Sequence, residues 1–282
     1  MASTRPFRSE HVIHEQICQP ALRGYHVGFD QKEFRLKPLV DVIRSVIPEF
    51  AFGYHEGNTV PMTDIVDRLK EAAATVYDTD KYQKRGEFGE LILHLLLRDF
   101  HATIPLVSTM YFKDAINVAA HGFDGIHVST DGNEHKLWLG ESKLYGTGAA
   151  GIRELLSDMK KHVQADYMRQ QFTLISRKIP QDATQIAYWR QVLDSNQPLD
   201  TIFKRIVIPM VCTYSSSLFT DHTDNTPEYF AAFEAECHAL HQQFQTGRIP
   251  CDVEFILLLL PIPDKDVLTR ELDQRLKAMQ RI

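Results

Sequence analysis

Two strongly apolar segments near the C-terminus, residues 202–214 (IFKRIVIPMVCTY) and 253–262 (VEFILLLLPI), constrain the fold most. Each segment is short and rich in β-branched or other large apolar side chains, a pattern typical of strands buried in a sheet. An amphipathic helix is predicted between them, over residues 228–245. Because buried strands must be covered by other elements, the chain is predicted to form a mixed sheet flanked by helices.

Hydrophobic periodicity and turn residues predict the other elements. Further helices are predicted over residues 36–46, 63–77, 86–99, 151–171 and 266–279, and further strands over residues 105–112, 123–129 and 136–144. The fold class is therefore α/β, a mixed β-sheet flanked by helices. We expect an N-terminal helical extension, residues 1–83, packed on a domain of residues 84–282 whose core is residues 84–215.

The composition limits the possible partners and location of the chain. Its 282 residues are 44% apolar and 24% charged, as expected of a folded globular protein. The net charge of −6 argues against a protein that binds nucleic acid over its whole surface. If the protein acts on a polyanion, the basic groups that bind it must be local or supplied by a partner. The longest apolar run is about half of a bilayer span, and no signal peptide is recognisable, so the protein is expected to be cytoplasmic.

Three charged residues, Asp124, Glu141 and Lys143, lie inside two of the most apolar strand candidates. Buried charges cost free energy unless they are paired or bind a metal. Residues 131–134 (DGNE) contain the dipeptides that favour a tight hairpin turn, and a turn centred there pairs residues whose numbers sum to 265. Asp124 would then face Glu141 with their Cβ atoms about 5 Å apart, and Lys143 would share that side of the sheet.

Two opposed carboxylates and a neighbouring ammonium are suited to phosphodiester chemistry. The carboxylates repel each other unless a cation lies between them, and magnesium (Mg²⁺) or Mn²⁺ prefers such oxygen ligands. Lys143 could orient or deprotonate an attacking water, or neutralise charge on a phosphate. A third carboxylate is available from Glu87 or Glu90 on the preceding helix. The alternative is a structural ion pair, because an acidic residue two positions before a lysine is common.

The motifs that carry this chemistry resemble the core of the PD-(D/E)xK nucleases, which have the restriction-endonuclease-like fold. The motifs are GEFGE at residues 86–90 followed by Leu93, Leu96 and Leu97, then GFDG at 122–125, then LGESK at 139–143. Glu90 has the downstream apolar offsets of the helix glutamate in that superfamily and is preferred over Glu87, although Gly89 separates it from Phe88. The proline that often precedes the first strand acid is absent.

More narrowly, a chain of this length with GEFGE, GFDGIHV and LWLGESKLY is similar to the HamA family, the nuclease subunits of Hachiman anti-phage defence. This resemblance implies a metal-dependent deoxyribonuclease that acts on DNA together with a HamB-like helicase. It implies that Glu90, Asp124 and Glu141 bind Mg²⁺ or Mn²⁺ and that Lys143 positions the nucleophile. The alternative is a non-catalytic adaptor that keeps the fold in order to bind the helicase.

Two further sequence features have open interpretations. Residues 160–162 (KKH) and Arg169 form the clearest basic stretch, which is either a solvated helix face or a contact for the DNA backbone. The glycine-rich segment 146–151 (GTGAAG) lacks the Lys-Ser/Thr ending of a P-loop. It is predicted to reverse the chain after the strand that carries Glu141, with a phosphate contact as the alternative.

Overall fold

The computed structural model describes residues 9–76, 86–108, 122–131, 134–181, 183, 185–194 and 196–282. The strands are β1 (His14–Gln19), β2 (Leu22–His26), β3 (Phe29–Asp30), β4 (Glu33–Phe34), β5 (Ile104–Pro105), β6 (Gly125–Asp131), β7 (Glu134–Tyr145), β8 (Ile206–Ser215) and β9 (Glu254–Ile262). The helices are α1 (Leu36–Ser45), α2 (Ile47–Phe52), α3 (Tyr54–Asn58), α4 (Ile65–Val76), α5 (Glu87–Phe100), α6 (Gly148–His162), α7 (Ala165–Lys178), α8 (Ile186–Val192), α9 (Leu199–Phe203), α10 (Leu218–Asp221), α11 (Pro227–Gly247) and α12 (Lys265–Gln280).

Seven of the strands form one mixed sheet in the order β1-β2-β9-β8-β7-β6-β5. The pairs β2–β9, β9–β8 and β8–β7 are parallel, whereas β1–β2, β7–β6 and β6–β5 are antiparallel. Strands β8 and β9 are almost entirely buried, as their apolar sequences predict. The predicted class, a restriction-endonuclease-like mixed sheet flanked by helices, is confirmed.

Helices cover both faces of the sheet, and each face has its own apolar core. Helices α1, α2, α4, α5 and α12 pack on one face, and α6, α7 and α11 pack on the other. Strand alternation separates the two cores, since Val207 and Val211 face the first helix layer and Ile208 and Met210 face the second. Within the described part of the chain, no helix is both long and apolar enough to cross a membrane.

The first strands were not predicted from the sequence. Strands β1 and β2 form a hairpin that joins the sheet through parallel pairing of β2 with β9, where Leu22 lies opposite Leu257. The predicted helices of the N-terminal region follow this hairpin as α1 and α4. The sheet therefore includes strands from both sides of the proposed boundary at residues 83 and 84, and the division into an extension and a domain stays a prediction.

The predicted helix over 151–171 is wrong as a single element, because the chain forms two helices, α6 and α7. Gln164 between them has extended backbone (φ −71°, ψ 131°), which ends the helical hydrogen-bond pattern. The interruption folds Tyr167 back over His162, and their rings stack with centroids 4.9 Å apart. The predicted strand at 105–112 is also shorter than expected, with only Ile104 and Pro105 assigned, while residues 109–112 lie outside the described residues.

Helix α6 packs closely on β8, and its glycines make this possible. The Thr147 hydroxyl caps the helix by accepting a hydrogen bond from Ala150 N (3.3 Å). A Cβ atom on Gly151 would overlap the Cys212 sulfur, whereas Gly146 has open space around it. These contacts support the predicted role of the glycine-rich segment in chain reversal.

Gly151→Ala is expected to lower the free energy of unfolding by about 1–3 kcal/mol through overpacking against Cys212. The added helix propensity of alanine, up to about 1 kcal/mol, is too small to offset the overlap. Denaturant unfolding measures the effect, with Gly146→Ala as the control expected to have little. Adding Cys212→Ala to Gly151→Ala should recover part of the loss, and a Gly151→Ala protein of wild-type stability would contradict this packing.

Candidate active site

The β6–β7 hairpin has the predicted register. Paired residues run from Asp131 opposite Glu134 to Gly125 opposite Gly140, and every pair sums to 265. The turn residues Gly132 and Asn133 lie outside the described residues. The register places Asp124, which directly precedes β6, across from Glu141.

Asp124 extends the sheet with its side chain. The sequence predicted this residue inside a strand, but β6 begins one residue later, at Gly125. The Asp124 amide donates to the Gly140 carbonyl (2.9 Å), and its Oδ2 accepts from both the amide and the hydroxyl of Ser142 (2.8 Å each). The carboxylate therefore takes the place of a backbone carbonyl of the partner strand and is fixed at the end of the hairpin.

Glycines in the predicted motifs bring helix α5 against this hairpin. Gly125 and Gly140 lie opposite each other, and a Cβ atom on Gly140 would be only 2.8 Å from the methyl groups of Leu93. A Cβ atom on Gly89 would be 3.0 Å from Ser142 Oγ. The absence of side chains at these positions allows the close approach. It also places the first turns of α5 beside the end of the hairpin.

Glu141 lies on the opposite face of β7 from Ser142 and is buried, with 4% of its side chain exposed. Burial raises the pKa of Glu141 well above its ordinary value, and the negative charge of Asp124 raises it further. The pKa of Asp124 is raised by burial as well, although its hydrogen bonds from Ser142 act in the opposite direction. Glu90 makes the smallest of these charge contributions to Glu141. The hairpin register places Asp124 across from Glu141, and the charges of both Asp124 and Glu90 act on Glu141.

Lys143 shares the face of Glu141, as predicted, with its Nζ 3.7 Å from Glu141 Oε2. Its closest partner is Asp158 on α6, whose Oδ2 lies 2.6 Å from Lys143 Nζ. Burial lowers the pKa of Lys143, but the hydrogen bond to Asp158 and the charge of Glu141 outweigh it, and the pKa is raised overall. Sequence reasoning missed Asp158. The only signal for it was its place on the helix that follows the strand of Glu141.

His162 lies at the site and not on the exposed basic stretch that the sequence predicted. Its ring is buried, packs on Phe123 (centroids 4.6 Å apart) and stacks on Tyr167, and its Nδ1 lies 3.4 Å from Glu141 Oε1. Burial lowers the pKa of His162 to about 4, so the ring is neutral near pH 7. The interpretation of residues 160–162 as one basic face is therefore wrong for His162. Lys160 and Lys161, in contrast, are exposed.

The carboxylates at this site suit a hard divalent cation. Asp124 and Glu141 offer oxygen donors whose negative charges are unfavourable so close together, and Mg²⁺ prefers oxygen ligands and retains several waters. Among the residues that the structure describes, no group of three or more His, Cys, Asp or Glu side chains is arranged to hold a metal ion. The assignment of Glu90 as a third ligand stays a prediction.

The fold is that of the restriction-endonuclease-like α/β class, and the acidic pair and the lysine lie at one end of the β6–β7 hairpin. The sequence profile of the HamA family matches residues 5–276 of the 282. The chain therefore belongs to the HamA family, which associates it with Hachiman defence. No curated protein matches the sequence.

Proposed function

We propose that this chain is a metal-dependent deoxyribonuclease and the effector subunit of a helicase–nuclease complex in anti-phage defence. The observation that carries the proposal is the acidic pair, Asp124 and Glu141, with the Lys143 ammonium beside it. If residue 141 served only the stability of the core, an apolar side chain would be more favourable than Glu141, because burying a charge costs free energy.

Asp124 and Glu141 would hold Mg²⁺ or Mn²⁺, with Glu90 on the neighbouring helix as a further ligand or a partner of bound water. Such an ion supplies polarisation of the scissile phosphate and a water that deprotonates near neutral pH. Neighbouring residues of the chain position the side chains of this site. Ser142 fixes one oxygen of Asp124 with two hydrogen bonds, and the glycines at 125 and 140 leave room for Leu93 of α5, the helix that carries Glu90.

Lys143 would act through its positive charge. Its pKa is raised despite burial, because Asp158 and Glu141 stabilise the ammonium, so it is protonated at neutral pH. A fixed ammonium next to a phosphate stabilises the negative charge that develops on the phosphate oxygens during hydrolysis. In this proposal Lys143 neutralises that charge and orients the attacking water, and it does not accept the water's proton.

A helicase partner is part of the proposal. Membership of the HamA family supports a role in a defence system with more than one component. The net charge of −6 supports a division of labour in which the partner grips the DNA backbone and this chain cuts. The exposed lysines at 160 and 161, on the helix beside the site, offer a local phosphate contact.

The second candidate function is a non-catalytic adaptor that binds the helicase. Two observations favour it. Lys143 is engaged by Asp158 at 2.6 Å, and no three-residue metal-binding group is present in the described ranges. An adaptor would retain the fold and the ion pairs without cutting DNA.

We expect the purified protein to cleave linear or circular DNA when Mg²⁺ or Mn²⁺ is present, and to cleave it faster with its helicase partner. The cleavage should stop in a chelator, because the acidic pair needs the ion. Gel analysis of both substrates with and without the partner measures this. DNA that stays intact under every condition, while the two proteins still form a complex, would favour the adaptor.

A further inference from the structure

Lys143 lies between two acidic groups that compete for its ammonium. Its Nζ is 2.6 Å from Asp158 Oδ2 and 3.7 Å from Glu141 Oε2, so the closer ion pair is made with the helix and not with the strand. Both Lys143 and Asp158 have 20% of their side chains exposed, whereas Glu141 has 4%. In the proposed function Asp158 serves only to stabilise the charge of Lys143, and it has no role in the binding of the cation.

We infer that Asp158 is a positioning residue that holds the Lys143 ammonium away from the acidic pair, Asp124 and Glu141, and so keeps that pair available to a divalent cation. The inference rests on the proposed function only for the identity of the ligand, a hard divalent cation. It concerns an equilibrium property of the site that is measurable without DNA.

The Lys143 ammonium and the divalent cation compete for the same negative charges, those of Asp124 and Glu141. Glu141 is buried, and a buried carboxylate attracts a nearby ammonium much more strongly than an exposed one does. Without the charge of Asp158, Lys143 would lose its closest partner and Glu141 would be the nearest remaining acceptor on its own strand. A cation that binds the acidic pair would then have to displace the ammonium, and its apparent affinity would fall.

Helix α6 is built to hold Asp158 in this position. The flanking residues Leu155 and Met159 are fully buried and anchor the helix against the sheet. The second oxygen of Asp158 accepts from Lys161 Nζ (3.3 Å), an exposed side chain with 65% of its surface accessible. His162, one turn along, is buried with its Nδ1 3.4 Å from Glu141 Oε1. Asp158 thus contacts two lysines, and Lys143 is the one of the two whose ammonium also lies within 4 Å of Glu141.

A double-mutant cycle on Mn²⁺ binding tests the inference. The full-length wild type, Asp158→Asn, Lys143→Met and the double variant are titrated with Mn²⁺ by calorimetry. Asp158→Asn is expected to weaken Mn²⁺ binding by about tenfold, the size of one modest interaction between partly buried charges. In the Lys143→Met background the same substitution should change affinity by less than about threefold, since no ammonium remains to be released.

Asp166→Asn is the matched control, because it removes the same charge from an exposed position on the adjoining helix α7. It should leave Mn²⁺ affinity unchanged. An equal loss from Asp158→Asn in both backgrounds would overturn the inference, because Asp158 would then act on the metal by its own charge. Wild-type protein that does not bind Mn²⁺, or Asp158→Asn protein that binds it normally, would overturn it too.

The outcomes separate this inference from the nuclease proposal. Wild-type protein that shows the expected binding cycle but leaves DNA intact would refute the nuclease and support the role of Asp158. If the protein does cleave DNA, the rate lost in Asp158→Asn should return at high Mn²⁺, which a misfolded site would not allow. Lys143→Met alone should bind Mn²⁺ at least as tightly as the wild type, so the inference can be tested even if Asp158→Asn fails to fold.

Discussion

Glu141→Gln and Lys143→Met are each expected to reduce DNA cleavage by about a thousandfold while the protein stays folded. In the proposed mechanism, the first substitution removes a charged oxygen ligand of the cation, and the second removes the ammonium that compensates charge on the phosphate. Each effect is worth several kcal/mol in a metal-assisted hydrolysis, and about 4 kcal/mol corresponds to that factor in rate. Both replacements keep the shape of the side chain, so Leu139 and other neighbours in the core should keep their packing. Single-turnover cleavage of labelled DNA measures the rates.

The same strand provides a matched control. Glu134 and Lys136 have the same residue types at the same spacing on β7, but Glu134 is exposed and Lys136 pairs with Glu254 at the surface (2.9 Å). Glu134→Gln and Lys136→Met should leave cleavage within about twofold of the wild type, as surface ion pairs contribute little. If Glu141→Gln cuts DNA as fast as these controls do, the catalytic assignment is wrong.

In a chelator, Glu141→Gln is expected to melt at a higher temperature than the wild type. The pKa of Glu141 in the folded protein is raised well above the ordinary value of 4.5 that applies to the unfolded chain. Between the ordinary pKa and the raised pKa of Glu141, the carboxyl group is ionised in the unfolded chain but still protonated in the folded protein. The free energy of unfolding therefore falls as pH rises through this range. At pH 7.5 the wild type should thus carry this penalty and the variant should not. Each 1 kcal/mol removed corresponds to about 2–4 °C.

In the presence of a divalent cation, the wild type should melt at a higher temperature than Glu141→Gln. Mn²⁺ at about a hundred times its dissociation constant stabilises the folded wild type by about 2.7 kcal/mol, which raises its melting temperature by about 5–10 °C. Glu141→Gln should show little response to the ion. Scanning calorimetry from pH 5 to pH 8, with chelator and with Mn²⁺, measures both effects. A wild type whose metal-free stability does not fall with pH, or whose melting temperature is indifferent to Mn²⁺, would speak against a cation site at Glu141.

The hairpin of the candidate site could be predicted in detail because its determinants are local. The sequence Asp-Gly-Asn predicts the pairing that is observed from Asp131 back to Gly125, and strand alternation then places Lys143 beside Glu141. The apolar strands β8 and β9 were predictable for the same reason, since their composition alone indicates burial.

Other features depend on contacts that no local pattern encodes. Asp158 stands in the sequence Asp-Met-Lys, which has the same acid-to-lysine spacing as Glu141 and Lys143 and as many surface pairs. Its inferred role follows from its contact with Lys143 of β7, which only the tertiary structure shows. The burial of His162 depends on the interruption at Gln164, and the first hairpin is stabilised by a strand near the other end of the chain.

The pairing of β2 with β9 has a consequence for synthesis of the protein. Leu22 leaves the ribosome early, but its sheet partner Leu257 is translated 235 residues later. At about 5–20 residues per second, the N-terminal hairpin spends on the order of ten to fifty seconds without the strand beside it. The segment that carries Asp124, Glu141 and Lys143 is translated within that interval, so the parts of the candidate site can meet on the ribosome before the sheet is complete.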